Sequence, residues 1–175
     1  ILSSTTLDEL KTLVTQAVYG MHDPGKLCAE AKAAAERALA GNAELAPAHT
    51  ALAAVRAVNE WDWRGAEASA ASAISAAPRY ATAYHWLAME CLAPQGRHAE
   101  AHDAMLRARD LDPLSPAIAA SVGVQLYFAR DFDAAEAAHA RALELDPHFG
   151  MAHFFLGQTH AARGRFDRAL AAFEQ

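Results

Sequence analysis

Residues 143–175 read LELDPHFGMAHFFLGQTHAARGRFDRALAAFEQ. An Asp-Pro precedes an apolar run punctuated by Gly150 and Gly157; Gly164 then opens a second apolar-periodic run. The stretch DLDPLSPAIAASVGVQL at 110–126 has the same outline. Pro113 and Pro147 are 34 residues apart, each preceded by Leu-Asp, and Pro78 lies 35 residues before Pro113. Self-similarity at a fixed period of this length is the mark of a repeat architecture.

Aligned on the prolines, the chain falls into units. The last reads His153-x-x-Leu156-Gly157-x-x-His160, a Gly164 turn, then Ala169-x-x-x-Phe173. The one before reads Ala119-x-x-Val122-Gly123-x-x-Leu126, then Ala135-x-x-x-His139, Ala142 and Pro147. Further back come Tyr84-x-x-Leu87-Ala88-x-x-Cys91 with Ala101-x-x-x-Met105, and His49-x-x-Leu52-Ala53-x-x-Arg56 with Ala66-x-x-x-Ala70. The first unit is the most degenerate: Leu7, Leu10, Leu13, Val14, Ala17 and Val18, then Ala31-x-x-x-Ala35 and Ala38. Ala31, Ala66, Ala101, Ala135 and Ala169 are equivalent, and a methyl side chain there lets two helices approach closely. Ala53, Ala88, Gly123 and Gly157 do the same on the facing helix, and Ala38, Ala73, Ala108 and Ala142 sit where the next unit is met. Proline after each second helix stops it, having no N–H and restricting the residue before it.

These motifs resemble the tetratricopeptide repeat, a 34-residue helix-turn-helix carrying W-x2-L-G-x2-Y, A-x3-F and P. The resemblance covers nearly the whole chain in five units, at about 6–43, 46–79, 81–114, 116–149 and 150–175, the last incomplete. It departs from the pattern in having no Trp at the first position and Phe at A-x3-F only in unit five. It implies an all-α, right-handed α-solenoid of antiparallel hairpins, each touching its neighbours. Helices are expected over 6–20, 26–41, 46–60, 64–77, 80–93, 98–111, 115–129, 132–145, 149–163 and 166–175. The extra residue of unit three is placed in the APQGR turn, where an insertion costs little. Because the sequence stops inside a second helix, a capping helix is expected to follow in a longer parent, leaving Leu170 and Phe173 partly uncovered.

Composition narrows the function. A net charge of −6, spread along the chain, gives no electrostatic case for nucleic acid. No run of 18 apolar residues marks a membrane span. The start, ILSSTTLDEL, lacks Met and signal-peptide form and reads as a cut boundary. Cys28 and Cys91 fall at packing positions, as buried thiols of a reducing, cytoplasmic compartment do. Nine histidines invite a metal search, and His98 and His102 share a helical face. No third ligand is placed beside them, so both read as ordinary repeat residues. His49, His139, His153 and His160 stand at signature positions and read as core histidines with hydrogen-bond partners. No phosphate loop, nucleophile elbow or zinc-protease motif is present. The chain reads as no enzyme, with no cofactor and no metal. The two tryptophans of the EWDWRG turn at 60–65 offer either a recognition spot or packing; the alignment of Trp63 with Phe132 and Phe166 favours packing, with Trp63 expected between the hairpin helices and Trp61 expected to cover the turn.

The resemblance places a partner, as an extended peptide or a helix, along the concave face lined by each unit's first helix. Helical spacing puts Thr82, His85, Met89 and Leu92 of unit three on that stripe, with Val124 and Tyr127 of unit four and Met151, Phe154 and Gln158 of unit five. Met89, Tyr127 and Phe154 are expected to be appreciably exposed, with Trp86, Phe128 and Phe155 flanking the stripe. It carries no Lys or Arg paired with Asn, which relatives that grip chaperone C-terminal carboxylates use. Soft Met and aromatic side chains suit an apolar helix or peptide. The expected role is therefore a protein-interaction scaffold. The rival readings are self-association, or capture of a segment of the parent chain. The Ala-rich repeats with EWDWRG also look similar to arrays attached to bacterial transcriptional activators and nucleotide cyclases, where such an array is a regulatory arm.

Overall fold

Alanine and long unbranched side chains favour helix, and the side-chain oxygens of Asp62, Ser115 and Asp131 start three of them. Asp62 accepts from the Gly65 N–H at 2.9 Å, Ser115 from Ile118 at 3.3 Å and Asp131 from Ala134 at 3.1 Å. The computed structural model describes residues 24–175, together with Thr12 and Gln16. The expected helix 6–20, and with it the first half of repeat one, lies otherwise outside the described residues.

In chain order the elements are α1 (Pro24–Gly41), α2 (Ala46–Val55) running into a π-helical turn (Arg56–Glu60), and α3 (Trp63–Ala76). Next come α4 (Ala81–Trp86), continued by a π-helical turn (Leu87–Leu92) and a 3-10 turn (Ala93–Gln95), and α5 (His98–Leu111). The rest are α6 (Pro116–Phe128), α7 (Phe132–Leu145), α8 (Gly150–Ala162) and α9 (Phe166–Phe173). Pro78, Pro113 and Pro147 each stand just past the end of a second helix.

The chain divides into two units, Ile1–Ala104 and Met105–Gln175. In the first, α2 packs against α1 and α3, and α4 lies against both α2 and α3. In the second, α6 and α7 form one hairpin and α8 and α9 another, with α8 stacked beside both α6 and α7.

The equivalent alanines are buried throughout: Ala31, Ala66, Ala101, Ala135 and Ala169 on one side, Ala38, Ala73, Ala108 and Ala142 on the other. Across each hairpin the sizes compensate. Ala53 shares a cluster with Ala70. A methyl on Gly123 would stand 2.4 Å from the His139 ring, and one on Gly157 the same distance from Phe173. Where the second helix carries a ring, the first carries glycine, as close packing demands.

The hairpin turns of units two to five share one device. Trp61, Gly96, Arg130 and Gly164 occupy equivalent positions, and all have positive φ, at 55°, 74°, 62° and 70°. Glycine takes this conformation without strain; tryptophan and arginine do not. In the turns of units three, four and five the next N–H reaches five residues back: Arg97 to Leu92, Asp131 to Leu126, Arg165 to His160.

That closure relocates the extra residue of unit three. From Leu92 onward its turn matches the turn from Leu126, so the insertion is not in APQGR. It lies between Ala88 and Leu92, inside the π-helical turn, whose i→i+5 bonding accommodates one residue more than an α turn. Unit two carries an extra residue in the corresponding place: Ala53 to Ala66 spans 13 positions, as Ala88 to Ala101 does, against 12 from Gly123 to Ala135 and from Gly157 to Ala169. Both insertions are absorbed in helix.

Candidate functional site

In the second unit the two first helices, α6 and α8, contain no Asp, Glu, Lys or Arg. Their outward residues form a network of rings. Tyr127 is half-buried, with Phe128 at 5.4 Å and Phe132 and Phe155 each at 5.9 Å between centroids. Phe154 stands edge-on to Phe155 at 5.2 Å and lies 6.0 Å from Phe173. Edge-to-face pairs of this kind contribute beyond area burial. Phe154 is 50% exposed and Phe128, at the end of α6, is 69% exposed. Met151 is half-buried against the Ala120, Ala142 and Ala152 cluster, and Gln158 is half-buried. Val124 is only 5% exposed, covered where α6 and α8 stack side by side. It supports the face without presenting a side chain to it.

In the first unit the stripe is quieter. Thr82, His85 and Met89 are half-buried and Leu92, in the π-helical turn, is 4% exposed. The His85 ring lies 6.4 Å from Trp86, which packs on the Cys28, Leu52 and Val55 cluster. Burial pushes the His85 imidazole down to about 4, so it is neutral at neutral pH.

The histidines divide into two kinds. The His49 ring bonds the Ala43 carbonyl and the His153 ring bonds the Pro147 carbonyl, both at 2.8 Å. At the equivalent position the Tyr84 hydroxyl donates to the Pro78 carbonyl at 3.2 Å. These side chains staple the inter-repeat turn instead of filling the hairpin. His139 departs from expectation differently: it is fully buried, stacked on Phe155 at 6.0 Å, and neither ring nitrogen has a hydrogen-bond partner. Burial pushes it down to about 4. It occupies the place Phe173 holds one repeat later, as a neutral ring. His160 is buried with Nδ1 unpartnered, 4.0 Å from Glu136. His98 is exposed and His102 half-buried, and among the described residues no three His, Cys, Asp or Glu side chains converge.

The structure adds a repeated ion pair that no sequence motif announces. Glu67 of α3 accepts from Arg97 at 2.6 Å, and Glu136 of α7 from Arg165 at 3.0 Å and Arg163 at 3.1 Å, with Asp133 also on Arg163. Lys32 and Glu60 hold the same register with the charges exchanged, at 2.5 Å. Each joins a second helix to the following turn. Solvent-screened pairs of this kind contribute little to stability, so they set register more than stability. Trp61 also departs from expectation: it does not cover its turn but is 71% exposed, with Trp63 half-buried against Ala53, Ala57 and Cys91 as expected. Both cysteines are buried free thiols, and burial pushes the Cys91 thiol up to about 12. Among the described residues no helix is long and apolar enough to cross a membrane.

Residues 128–175 match the family model of the tetratricopeptide repeat. Over 73 residues, 42% of the chain, the sequence is 37% identical to Protein bimA of Emericella nidulans, of which the match spans 9%. A thermophilic TPR protein of Thermus thermophilus superimposes with a TM-score of 0.77 at 21% identity, over 97% of this chain and 88% of that one. YrrB, a TPR protein with an unusual peptide-binding site, gives 0.59 at 19% identity, over 99% and 84%. The fold class is that of these structures, the all-α, right-handed solenoid of antiparallel helix-turn-helix hairpins.

Proposed function

We propose that this chain, whose residues 128–175 match the tetratricopeptide-repeat model and whose fold supports protein–protein interaction scaffolds generally, binds a partner on its first-helix faces. The partner is a peptide or helix with an apolar face. One observation carries this reading: α6 and α8 have no formal charge, yet they expose Phe128 and Phe154 to solvent. A soluble protein seldom presents a contiguous apolar surface without use for it. Tyr127, Met151 and Gln158 flank the rings, and Val124 lies beneath. The first unit contributes its own stretch, Thr82, His85 and Met89 over Leu92.

No Lys or Arg on these stripes is placed to take a partner's C-terminal carboxylate. Arg56, at the end of the first helix of unit two, donates to the Gly65 carbonyl at 3.2 Å and the Ser69 hydroxyl at 2.6 Å. It faces the hairpin, not the partner. Binding therefore rests on apolar burial by a preformed surface, with little ordering entropy lost on the scaffold side. The chain acts without catalysis, as a cytoplasmic interaction module. The peptide-binding site named for YrrB, at 19% identity, is a precedent for the class of ligand only.

The test is affinity capture with the chain and with a Met89→Glu, Phe154→Glu double variant that keeps its circular dichroism. The reading expects a protein retained by the first and lost by the second. Equal recovery on both would refute the first-helix faces as the surface.

A further inference from the structure

The Trp61 turn carries a second, separate surface. The ring is 71% exposed on a backbone with φ of 55°, which a bulky residue adopts only under strain. The equivalent turns at Gly96 and Gly164 avoid the strain with glycine. Trp61 is also held: its N–H closes the π-helical turn on the Arg56 carbonyl, and its ring meets Trp63 edge-to-face at 5.7 Å and 88°. Trp63 is itself anchored among Ala53, Ala66 and Ala70. The result is a fixed aromatic ring with most of its surface in water, the kind of residue that anchors interfaces.

Its chemistry is indicated by the equivalent turn of unit four. There the residue at Trp61's position is Arg130, and its guanidinium lies over the Phe132 ring, 5.3 Å from the centroid. In that turn the chain provides both cation and ring. In the Trp61 turn the ring that meets its neighbour is an indole, Trp61 edge-to-face on Trp63, with the nearby Lys32 ammonium engaged on Glu60. Carboxylates flank Trp61 on both sides. Asp62 gives one oxygen to the Gly65 N–H, and Glu60 pairs with Lys32 while staying partly exposed. The chain's net charge of −6 favours approach of a basic partner.

We propose that the Trp61 turn is an interaction surface that takes an arginine or lysine side chain of a partner protein on the exposed indole, with Glu60 and Asp62 beside it. Indole is the strongest of the side-chain rings for such a cation. The strain at residue 61 is retained for this contact, so the residue that serves binding is not the one that best serves the fold.

The 175-residue chain, isotope-labelled at its indoles, is titrated with acetylated tetra-arginine amide and with the citrulline peptide of the same length. The Trp61 indole N–H signal is expected to shift saturably with arginine only, while Trp86 stays still. Trp61→Gly is expected to unfold at a higher temperature than the parent and to lose the response. A Trp61 signal unmoved by arginine, or moved equally by citrulline, overturns the proposal. So does a stronger response to a tetra-leucine peptide, which would make the contact apolar. A lower unfolding temperature for Trp61→Gly also overturns it, since the ring would then be serving the fold.

Discussion

The hairpins of units two and three and those of units four and five follow one plan and depart from it in opposite ways. The first pair carries 13 positions between its close-approach residues and turns its first helices through π-helical segments. The second pair carries 12 and stays α-helical. Among the described residues, six of the seven large exposed hydrophobic side chains lie in the second unit: Leu114, Phe128, Phe154, Phe166, Leu170 and Phe173. The first has Trp61 alone, at a turn. In units three, four and five turn closure is the fixed element, and helix is where a surplus residue goes. The regular helices bear the apolar face, and one of the two irregular ones ends in a strained aromatic, Trp61.

The largest contrast should come from deletions. Removing Glu90 takes the surplus residue out of the second π-helical segment, and the chain is expected to fold within about 1 kcal/mol of the parent. Removing Gln125 from α6 puts Leu126 and Tyr127 out of register, and the second unit is expected to lose cooperative unfolding. Urea denaturation followed by far-ultraviolet circular dichroism separates them; equal damage from both would mean the segment at 87–92 holds no surplus residue.

Acid acts on the second unit through His139. Its ordinary value is 6.5 and burial holds it at about 4 in the fold. Between those values the unfolded chain binds a proton that the folded chain does not. Stability is therefore full above the window and falls as pH drops through it, by about 3 kcal/mol through this group alone at its lower end. His139→Phe, which copies Phe173, should abolish that component, so its advantage over the parent should widen as pH falls from neutral through that window. A constant gap would show that the buried imidazole is not responsible.

The glycine holes should rank by the mobility of what fills them. Gly123→Ala is expected to cost about 1–3 kcal/mol, because the buried His139 ring has nowhere to move. Gly157→Ala should cost less, since Phe173 is half-exposed and its ring can swing outward. Thermal unfolding of the two variants gives the order, and the reverse order would contradict the packing described.

Much of this is legible in the sequence. Helices 98–111 and 132–145 match their expected bounds to the residue, because proline and a fixed alanine pin both ends. The surplus residues are harder to place, because an insertion keeps apolar spacing whether it enters a turn or a π-helical segment. Only the Arg97-to-Leu92 hydrogen bond distinguishes the two. On the candidate face, periodicity sets direction but not depth. It puts Val124 and Phe154 on one stripe, yet stacking of α8 beside α6 buries the first and leaves the second half-exposed. Spacing makes Phe128 a flanking residue; at the end of α6 it meets only the edges of Tyr127 and Phe155 and stays 69% exposed. A partner is expected for His139 because buried polar groups usually have one. Its alignment with Phe173 is the signal that the site asks only for a ring.

The most direct test of the first-helix face places a photoreactive phenylalanine analogue at residue 154 and, separately, at Ala140, exposed on α7. Illumination in the cells of origin should give a discrete cross-linked partner from position 154 and none from 140. A partner captured from 140 and not from 154 would put binding on the second helices and contradict the function proposed.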